Sequence, residues 1–319
     1  ATAVAFDASL SSNVAVYWGQ ASAGSQESLA YYCESDDVDI VILSFMNSFP
    51  SITLNFASAC TSTFLDGLLK CDQIASDIQT CQSKGKIVLL SLGGASGSYG
   101  FSSDSEATTF ASTLYNKFLG GSDDERPFGD AVLDGFDLDM ESQQQTGTVA
   151  LGTALRLQFA KDSSKTYYLS AAPQCPYPDA SVGEYLAGVD VDFAFIQFYN
   201  NYCSLGSNFN WDTWASFAKN TAPNSNIKLF VGLAGSSSAA GSGYVSSSTV
   251  QQYIDSLDAT NLGGISIWDA SQAWANTDSS GNTFAHQVKN ILEDRSGSAS
   301  STSSTVKTTA TSTTATSTA

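Results

Sequence analysis

Eight short runs rich in β-branched and aromatic residues recur along the 319-residue chain, and segments with helical apolar spacing separate them. The runs occupy residues 14–18, 39–45, 86–92, 131–140, 166–172, 192–199, 227–233 and 263–268. The helical stripes include Ile74, Ile78 and Cys81, then Phe110, Leu114 and Phe118, then Leu151, Leu155 and Phe159, then Val250, Tyr253, Ile254 and Leu257. Regular alternation of strand and helix is typical of a parallel sheet. Eight such units predict an α/β fold, a single (β/α)8 TIM barrel.

Polar and special residues collect where these runs end. The endings read YWGQ, SFMN, SLGG, DME, AAPQ, QFYNN, GLAG and IWD. In a TIM barrel the active site lies at the carboxyl ends of the strands, so this distribution favours the barrel. A doubly wound sheet would also alternate strands and helices, but no run is followed by a GxGxxG turn or a P-loop.

The two ends of the chain differ from this repeating part. Residues 1–13 resemble a mature N-terminus from which a signal segment has been removed, and we interpret them as an N-terminal segment. The predicted barrel domain covers residues 14–295. Residues 296–319 contain 17 Ser or Thr and cannot bury a core, which predicts a disordered linker or stalk that suits O-glycosylation.

The net charge of the chain limits the molecules that it can bind, and its cysteine content indicates the compartment in which it folds. With 31 acidic and 13 basic residues, the formal charge of -18 repels nucleic-acid phosphates and anionic lipids, and no apolar run is long enough to span a bilayer. Six cysteines without CxxC spacing favour disulfides over a metal site, and therefore secretion, although spacing leaves their connectivity open. The single histidine, His286, is predicted to be an ordinary surface or packing residue.

The segment LDGFDLDMES at residues 133–142 places acidic side chains in an apolar strand. Because side chains alternate along a strand, Asp137, Asp139 and Glu141 share one face at a spacing of about 6.7 Å. Asp134 has the opposite parity and is predicted to be structural. Like charges at this spacing raise one another's pKa, so the row suits acid catalysis.

A divalent-cation site and a solvated edge strand are the alternatives for this row. A calcium loop of the D-x-D-x-D-G type needs glycine at its sixth position, where the chain has Ser142. An edge strand does not require the apolar face that Leu138 and Met140 form. We therefore predict catalysis, with no metal and no cofactor.

The three acids approach a substrate from one side. Glycosidases of the two-carboxylate type need acids on both sides of the bond, and the other strand ends offer no convincing carboxylate except Asp269. A substrate that supplies its own nucleophile, such as a sugar with a 2-acetamido group, would fit this one-sided row.

These motifs resemble family 18 glycoside hydrolases. DGFDLDME matches the family signature D-G-x-D-x-D-x-E, and LSLGG at 90–94 matches the S-x-G-G strand. YWGQ (17–20), AAPQCPYPD (171–179) and QFYNN (197–201) are similar to the class III, hevamine-like chitinases of plants and fungi. The resemblance runs from about residue 14 to about residue 292. It implies a secreted, endo-acting chitinase that cleaves β-1,4 bonds between N-acetylglucosamine units with retention, by substrate-assisted catalysis.

The resemblance also implies catalytic roles. Glu141 would be the general acid and later the base. Asp139 would hold the acetamido N–H so that the acetamido oxygen attacks the anomeric carbon, and Asp137 would share a proton with Asp139. Tyr199 would donate its hydroxyl group to the acetamido oxygen.

Further implied residues bind substrate or staple the fold. Trp268 would form the floor under the sugar, and Tyr17, Gln197 and Asn200 would contact substrate. Gly93 and Gly94 are predicted to allow close backbone packing. The implied disulfides are Cys33–Cys81, Cys60–Cys71 and Cys175–Cys203.

Two other functions are compatible with the same sequence signature. One is a carbohydrate-binding protein with weak or lost catalysis, and the other is an endo-β-N-acetylglucosaminidase. The connection at residues 234–248 is too short and Gly/Ser-rich for the α+β domain that some bacterial-type members insert, which predicts an open cleft. We expect a monomer that binds chitin, without nucleic-acid partners or membrane insertion, and whose Ser/Thr-rich tail can associate with a cell wall.

Overall fold

The computed structural model describes residues 5–303 as a ring of parallel strands surrounded by helices. The strands are β1 (Asn13–Trp18), β2 (Ile40–Phe49), β3 (Thr53–Leu54), β4 (Ile87–Gly93), β5 (Ser98–Tyr99), β6 (Gly135–Asp139), β7 (Tyr168–Ala171), β8 (Phe193–Gln197), β9 (Lys228–Ala234) and β10 (Leu262–Trp268). The helices are α1 (Leu29–Cys33), α2 (Asp72–Ser83), α3 (Asp104–Phe118), α4 (Thr148–Phe159), α5 (Gly183–Gly188), α6 (Trp211–Asn220), α7 (Ser247–Ser256), α8 (Ala270–Ala275) and α9 (Phe284–Ser303).

The barrel closes through its first strand. The parallel order is β1-β2-β4-β6-β7-β8-β9-β10, and β1 pairs with both neighbours, because Val16 lies opposite Val41 on one side and Ile267 on the other. All eight predicted strands are confirmed, and so is the TIM barrel. β3 and β5 were not predicted because two-residue strands carry no periodic signal. Both pair with the carboxyl end of β2 and extend the wall above it.

Successive side chains along each strand point to opposite faces, so the barrel has two apolar layers. In β1, Val14, Val16 and Trp18 pack in the layer between strands and helices, whereas Ala15 and Tyr17 belong to a smaller cluster with inward residues of the other strands. A period of two is expected for strands whose two faces are both buried.

The N-terminal segment completes this inner cluster. The Phe6 ring lies 5.7 Å from that of Tyr168 and 5.9 Å from that of Phe193, and the Phe6 N–H donates to Gly85 O at 2.8 Å. Residues 5–12 therefore pack where the strands begin, as part of the barrel. Residues 1–4 lie outside the described part of the chain.

The last helix, α9, continues past the predicted domain boundary at residue 295 to Ser303. Residues 304–319 lie outside the described residues, so the Ser/Thr-rich linker stays a prediction. None of the helices in the described part of the chain is long and apolar enough to cross a membrane.

Three disulfides staple the barrel, and all three implied pairings are confirmed. They are Cys33–Cys81, Cys60–Cys71 and Cys175–Cys203. The third joins the connections that follow β7 and β8, at the carboxyl end of the barrel. Between β9 and α7 the described chain has only a short connection, so the inserted α+β domain is absent there, as predicted.

The acidic strand β6 is shorter than its predicted range of 131–140. Residues 131–134 before it have no regular secondary structure: the Ala131 N–H donates to Phe128 O at 2.9 Å, and the Leu133 N–H donates to Phe118 O at 3.0 Å. The strand also ends early, at Asp139, so Glu141 lies two residues beyond it.

The connection that leads into β6 is organised by Arg126. Its guanidinium group donates to backbone carbonyl oxygens of Asn116, Leu119, Gly121, Gly129 and Ala131. Only a forked, multi-donor side chain can reach such a set of acceptors. We expect Arg126→Met to lower the free energy of unfolding by about 2 kcal/mol in urea titration, because several carbonyl groups lose their donor. Lys161→Met, which removes a charge from an exposed position, is the control; equal losses in both variants would contradict this role.

Candidate active site

One pocket lies at the carboxyl ends of the barrel strands. Its lining residues come from seven of the eight strand ends and their connections: Gln20, Phe45, Asn47, Asn55, Ala95, Ser96, Asp139, Glu141, Gln197, Tyr199, Asn200, Ala239 and Trp268. The pocket thus brings together the predicted residues Asp139, Glu141, Tyr199 and Trp268. It opens where TIM-barrel enzymes bind their substrates.

Asp137 is the innermost acid of the row and has no exposed surface. Its carboxylate accepts hydrogen bonds from Ser91 Oγ at 2.7 Å, Ser170 Oγ at 2.7 Å and Tyr17 OH at 3.2 Å. Burial raises the pKa of Asp137 to about 6, although the three hydroxyl donors oppose the shift. The carboxyl group of Asp137 is therefore more readily protonated than that of an ordinary aspartate.

Asp139 follows on the same face of β6 and is 5% exposed. Its Oδ1 accepts from Gln197 Nε2 at 3.0 Å, and Gln197 Nε2 also donates to Ala172 O at 3.0 Å. Burial, then the charges of Glu141 and Asp137, raise the pKa of Asp139 well above its ordinary value. Gln197 therefore fixes the orientation of a carboxyl group that is readily protonated.

Glu141 is the outermost acid and is only partly buried. Burial raises its pKa, and the negative charge of Asp179 raises it further. Asp179 is itself held by the backbone N–H groups of Gln174, Ser181 and Val182, at 2.7–2.9 Å. A glutamic acid with a raised pKa keeps its proton at a pH where an ordinary one has lost it, which is the requirement for a general acid.

Trp268 ends β10 and forms an aromatic surface in the pocket. Its ring is stacked on Phe45 at 5.8 Å and 23°, and Tyr17 lies 5.7 Å away. Tyr199 is 8% exposed, and burial followed by the charges of Asp139 and Glu141 raises its pKa well above the ordinary value. The Tyr199 hydroxyl therefore stays neutral and able to donate.

Two predicted substrate contacts have other partners. Tyr17 does not belong to the pocket lining; it is 5% exposed, and its hydroxyl donates to Asp137. Asn200 does line the pocket, but its Oδ1 accepts from the Ser242 N–H at 3.1 Å and its N–H donates to Ser242 O at 3.0 Å. Tyr17 thus supports the acidic row from beneath, and Asn200 fixes the connection after β9.

Two further acidic residues, Asp269 and Asp134, bind backbone groups or a lysine outside the row. Asp269 is 2% exposed and caps α8 by accepting from the Gln272 N–H at 3.0 Å. Asp134 accepts from the Val88 N–H at 2.8 Å and forms an ion pair with Lys165 at 2.8 Å. Both carboxylates hold backbone in place outside the pocket lining.

His286, predicted to be an ordinary surface or packing residue, is partly exposed. It lies in α9, and its Nδ1 is 2.9 Å from Asp37 Oδ1. Among the residues that the structure describes, no three His, Cys, Asp or Glu side chains are arranged to hold a metal ion.

Gly93 and Gly94 pack closely against the site, as predicted. A Cβ atom on Gly93 would lie 2.2 Å from Asp139 O, and one on Gly94 would lie 2.9 Å from the Phe45 ring. Their φ angles, 121° and 90°, also favour glycine.

Several pocket residues were missed by sequence reasoning. Phe45 and Asn47 belong to the strand ending SFMN and line the pocket. Asn55 follows the unpredicted strand β3, and Ala239 lies in the connection after β9. The polar strand ending was a usable signal for Asn47, whereas nothing in the local pattern distinguishes Asn55 or Ala239.

Carboxylates beside an aromatic surface at the carboxyl face of a TIM barrel define the class of the protein as glycoside hydrolase-like. The chain belongs to Glycosyl hydrolases family 18, whose family model matches residues 13–256. An endochitinase from Saccharomyces cerevisiae is 59% identical over 301 residues, which cover 93% of this chain and 53% of that protein. The chain therefore spans about half the length of this relative.

Solved structures share the fold. The ICChI chitinase from Ipomoea carnea matches with a TM-score of 0.76 at 31% identity, covering 88% of this chain and 99% of that one. The xylanase and α-amylase inhibitor protein XAIP-II from Scadoxus multiflorus matches with a TM-score of 0.73 at 30% identity, covering 88% and 98%. Because the fold accommodates both an enzyme and an inhibitor protein, activity depends on the side chains of the site and not on the fold alone.

Proposed function

We propose that this chain is an endo-acting chitinase that hydrolyses β-1,4 bonds between N-acetylglucosamine units, with retention of configuration and by substrate-assisted catalysis. The observation that carries the proposal is the one-sided acidic pair. Among the described residues that line the pocket, the carboxylates are Asp139 and Glu141, both from the end of β6. The nucleophile must then come from the substrate, and a 2-acetamido group can supply it.

Asp139 and Tyr199 act on the acetamido group in this proposal. Asp139 accepts the acetamido N–H, and Tyr199 donates its hydroxyl to the acetamido oxygen. The contacts hold that oxygen in position to attack the anomeric carbon, giving an oxazolinium ion. Gln197 keeps Asp139 oriented through its 3.0 Å hydrogen bond. Tyr199 remains protonated because burial raises its pKa, so its hydrogen-bond direction is preserved.

Glu141 transfers the protons. As an acid it protonates the glycosidic oxygen while that bond breaks, and as a base it then accepts a proton from the water that opens the oxazolinium ion. Positive charge develops on the sugar next to Asp139, so an anionic Asp139 is favoured at that moment. Asp137, with its pKa of about 6, can take up a proton that Asp139 releases.

The pocket suits a neutral, acetylated polymer. Trp268 offers an apolar ring surface to one face of a pyranose, and the amide side chains of Gln20, Asn47 and Asn55 extend the lining with donors and acceptors. The short connection between β9 and α7 leaves the cleft without an added wall, which favours cleavage at internal bonds. A net charge of -18 does not repel an uncharged chitin chain.

Secretion, monomeric state and attachment to a cell wall through residues 296–319 also belong to this proposal. Three disulfides support an oxidising compartment. The yeast relative is named only as an endochitinase, and the chain spans about half of it. The activity of the whole protein is therefore part of the proposal as well.

The test is hydrolysis of an N-acetylglucosamine hexamer, with products resolved by length and anomer at early times. We expect cleavage at internal bonds and new reducing ends in the β configuration, because the acetamido oxygen and water attack in two successive inversions. The glucosamine hexamer, which lacks the acetyl groups, is the matched control and should not be cleaved. A thiazoline analogue of the oxazolinium ion should inhibit.

Other outcomes would contradict parts of the proposal. Early α anomers would exclude retention, and release of dimers from one end alone would exclude the open cleft. Binding of the hexamer without turnover would instead support the carbohydrate-binding alternative. Cleavage of N-glycans but not of the hexamer would support the endo-β-N-acetylglucosaminidase alternative.

A further inference from the structure

Glu141 lies beyond the hydrogen-bonded part of β6, yet its backbone is held from the loop that follows β4. The Gly94 N–H donates to Asp139 O at 2.7 Å, and the Glu141 N–H donates to the Tyr99 hydroxyl at 2.9 Å. The Tyr99 hydroxyl in turn donates to Gly94 O at 2.7 Å. The peptide groups on both sides of Met140 are therefore bound to one loop, through a closed set of three hydrogen bonds.

The Tyr99 ring is itself fixed. It stacks on Phe49 at 5.4 Å and 14°, and these two residues are partners where β5 pairs with β2. Next to them, Ser48 Oγ donates to Ser98 O at 2.8 Å. A Cβ atom on Gly97 would lie 1.9 Å from Asn47 O, so the loop lies directly against β2. The phenol that meets Glu141 is thus carried by a closely packed support.

We propose that Tyr99 is a positioning residue that holds Glu141 where its carboxyl group can protonate the glycosidic oxygen. The inference rests on the proposed function and adds a residue that acts through Glu141 and not on the sugar. Removal of the hydroxyl leaves the Glu141 N–H without its acceptor and opens the link to Gly94. The end of β6 can then shift, and small displacements of a catalytic group are costly in rate.

Two substrates with different leaving groups can distinguish a residue that positions the acid from a residue that only stabilises the fold. A sugar would have to leave as a strongly basic alkoxide unless Glu141 protonates it, in which case it leaves as an alcohol, whereas 2,4-dinitrophenolate leaves without protonation. The parameter kcat/KM reports the steps up to the first bond cleavage, so it isolates the acid step from the later action of Glu141 as a base. A misplaced acid should therefore lower kcat/KM for sugar leaving groups and spare the dinitrophenyl substrate.

The experiment compares Tyr99→Phe with Tyr32→Phe on the N-acetylglucosamine tetramer and on 2,4-dinitrophenyl di-N-acetylchitobioside. Tyr32 is the matched control because its hydroxyl also accepts a backbone N–H, that of Glu27 at 3.1 Å, and it is not part of the pocket lining. We expect Tyr99→Phe to lower kcat/KM about 10-fold on the tetramer and less than about 2-fold on the dinitrophenyl substrate, as partial loss of acid catalysis requires. Tyr32→Phe should change neither value.

Equal losses on both substrates, or no loss on the tetramer, would overturn the inference. If the wild type cleaves neither substrate, the proposed function fails, and that result is distinct from the others. Should Tyr99→Phe not fold, Phe49→Leu removes the stacking partner and keeps the hydroxyl. Phe49→Leu should also lower kcat/KM more on the tetramer than on the dinitrophenyl substrate, by a smaller factor. If this difference between the substrates is not seen, the proposal is contradicted.

Discussion

Glu141→Gln should reduce turnover of N-acetylglucosamine oligomers by about 10³-fold while leaving their binding nearly unchanged. The substitution keeps the shape of the side chain and removes its proton, and general acid–base catalysis contributes about 10²–10⁴ in rate. Initial rates on the tetramer and its dissociation constant, measured by calorimetry on the same preparation, test both halves of the prediction.

The pH profile of the wild type should also show that Glu141 has to be protonated. Glu141 must be protonated to act as the acid, and burial together with the charge of Asp179 raises its pKa. Activity should therefore persist above the ordinary carboxyl range and fall as the pH rises through the raised pKa of Glu141. The fall should be seen in kcat/KM, which reports the free enzyme.

Glu34→Gln is the matched control for Glu141→Gln. Glu34 is an exposed glutamate that pairs with Lys84 at 2.6 Å, and it lies outside the pocket lining. It should change neither rate nor binding, because an exposed ion pair contributes little. Near-native turnover of Glu141→Gln would assign the acid to another residue, and would remove the basis of the roles proposed for Tyr99 and Asp137.

Much of the fold could be predicted because each barrel strand carries its own signal. β4, for example, is buried along its whole length, so its apolar run IVLLSLG is continuous and easily recognised. β3 and β5 have two residues each and are held by pairing with β2, a long-range effect that no local pattern reveals. The early end of β6 has the same origin, because its hydrogen bonds depend on β4 and β7.

The site could be predicted in part for a similar reason. Asp137, Asp139 and Glu141 follow one strand, so their common face follows from the period of two. Tyr99 and Asp179 act on Glu141 from other loops, through a backbone hydrogen bond and through charge. The substrate contact implied for Tyr17 stays a prediction. Its side chain is buried and its hydroxyl donates to Asp137, an inward contact that the strand ending YWGQ does not reveal.

Asp137→Asn should stabilise the fold at neutral pH while it lowers activity. Burial raises the pKa of Asp137 to about 6 in the folded state, from 3.8 for an ordinary aspartate. The folded chain therefore binds this proton more tightly than the unfolded chain does. The stability that the protonated carboxyl group contributes is complete below pH 3.8 and is lost as the pH rises through 6. A shift of this size corresponds to about 3 kcal/mol at neutral pH.

Asparagine at position 137 stays neutral at every pH, so the variant does not lose stability as the pH rises. Its amide can keep contacts with Ser91, Ser170 and Tyr17, since hydroxyl groups can turn to accept as well as donate. Urea unfolding at pH 7 should show a gain of about 1–3 kcal/mol over the wild type, and the gain should disappear near pH 4. Turnover should fall because Asp139 loses the neighbour with which it exchanges a proton.

Asp134→Asn is the matched control, at the residue immediately before the same strand. Asp134 is also buried, at 6% exposed, but it forms an ion pair with Lys165 at 2.8 Å and accepts from Gln82 Nε2 at 2.8 Å. Its neutralisation leaves Lys165 without a counter-charge and should destabilise the fold at pH 7, opposite in sign to Asp137→Asn. If Asp137→Asn is no more stable than the wild type at pH 7, or if its gain persists unchanged at pH 4, then the carboxylate is not destabilised by burial. Its proton could not then be exchanged with Asp139 near neutral pH, and the relay between the two acids would have to be abandoned.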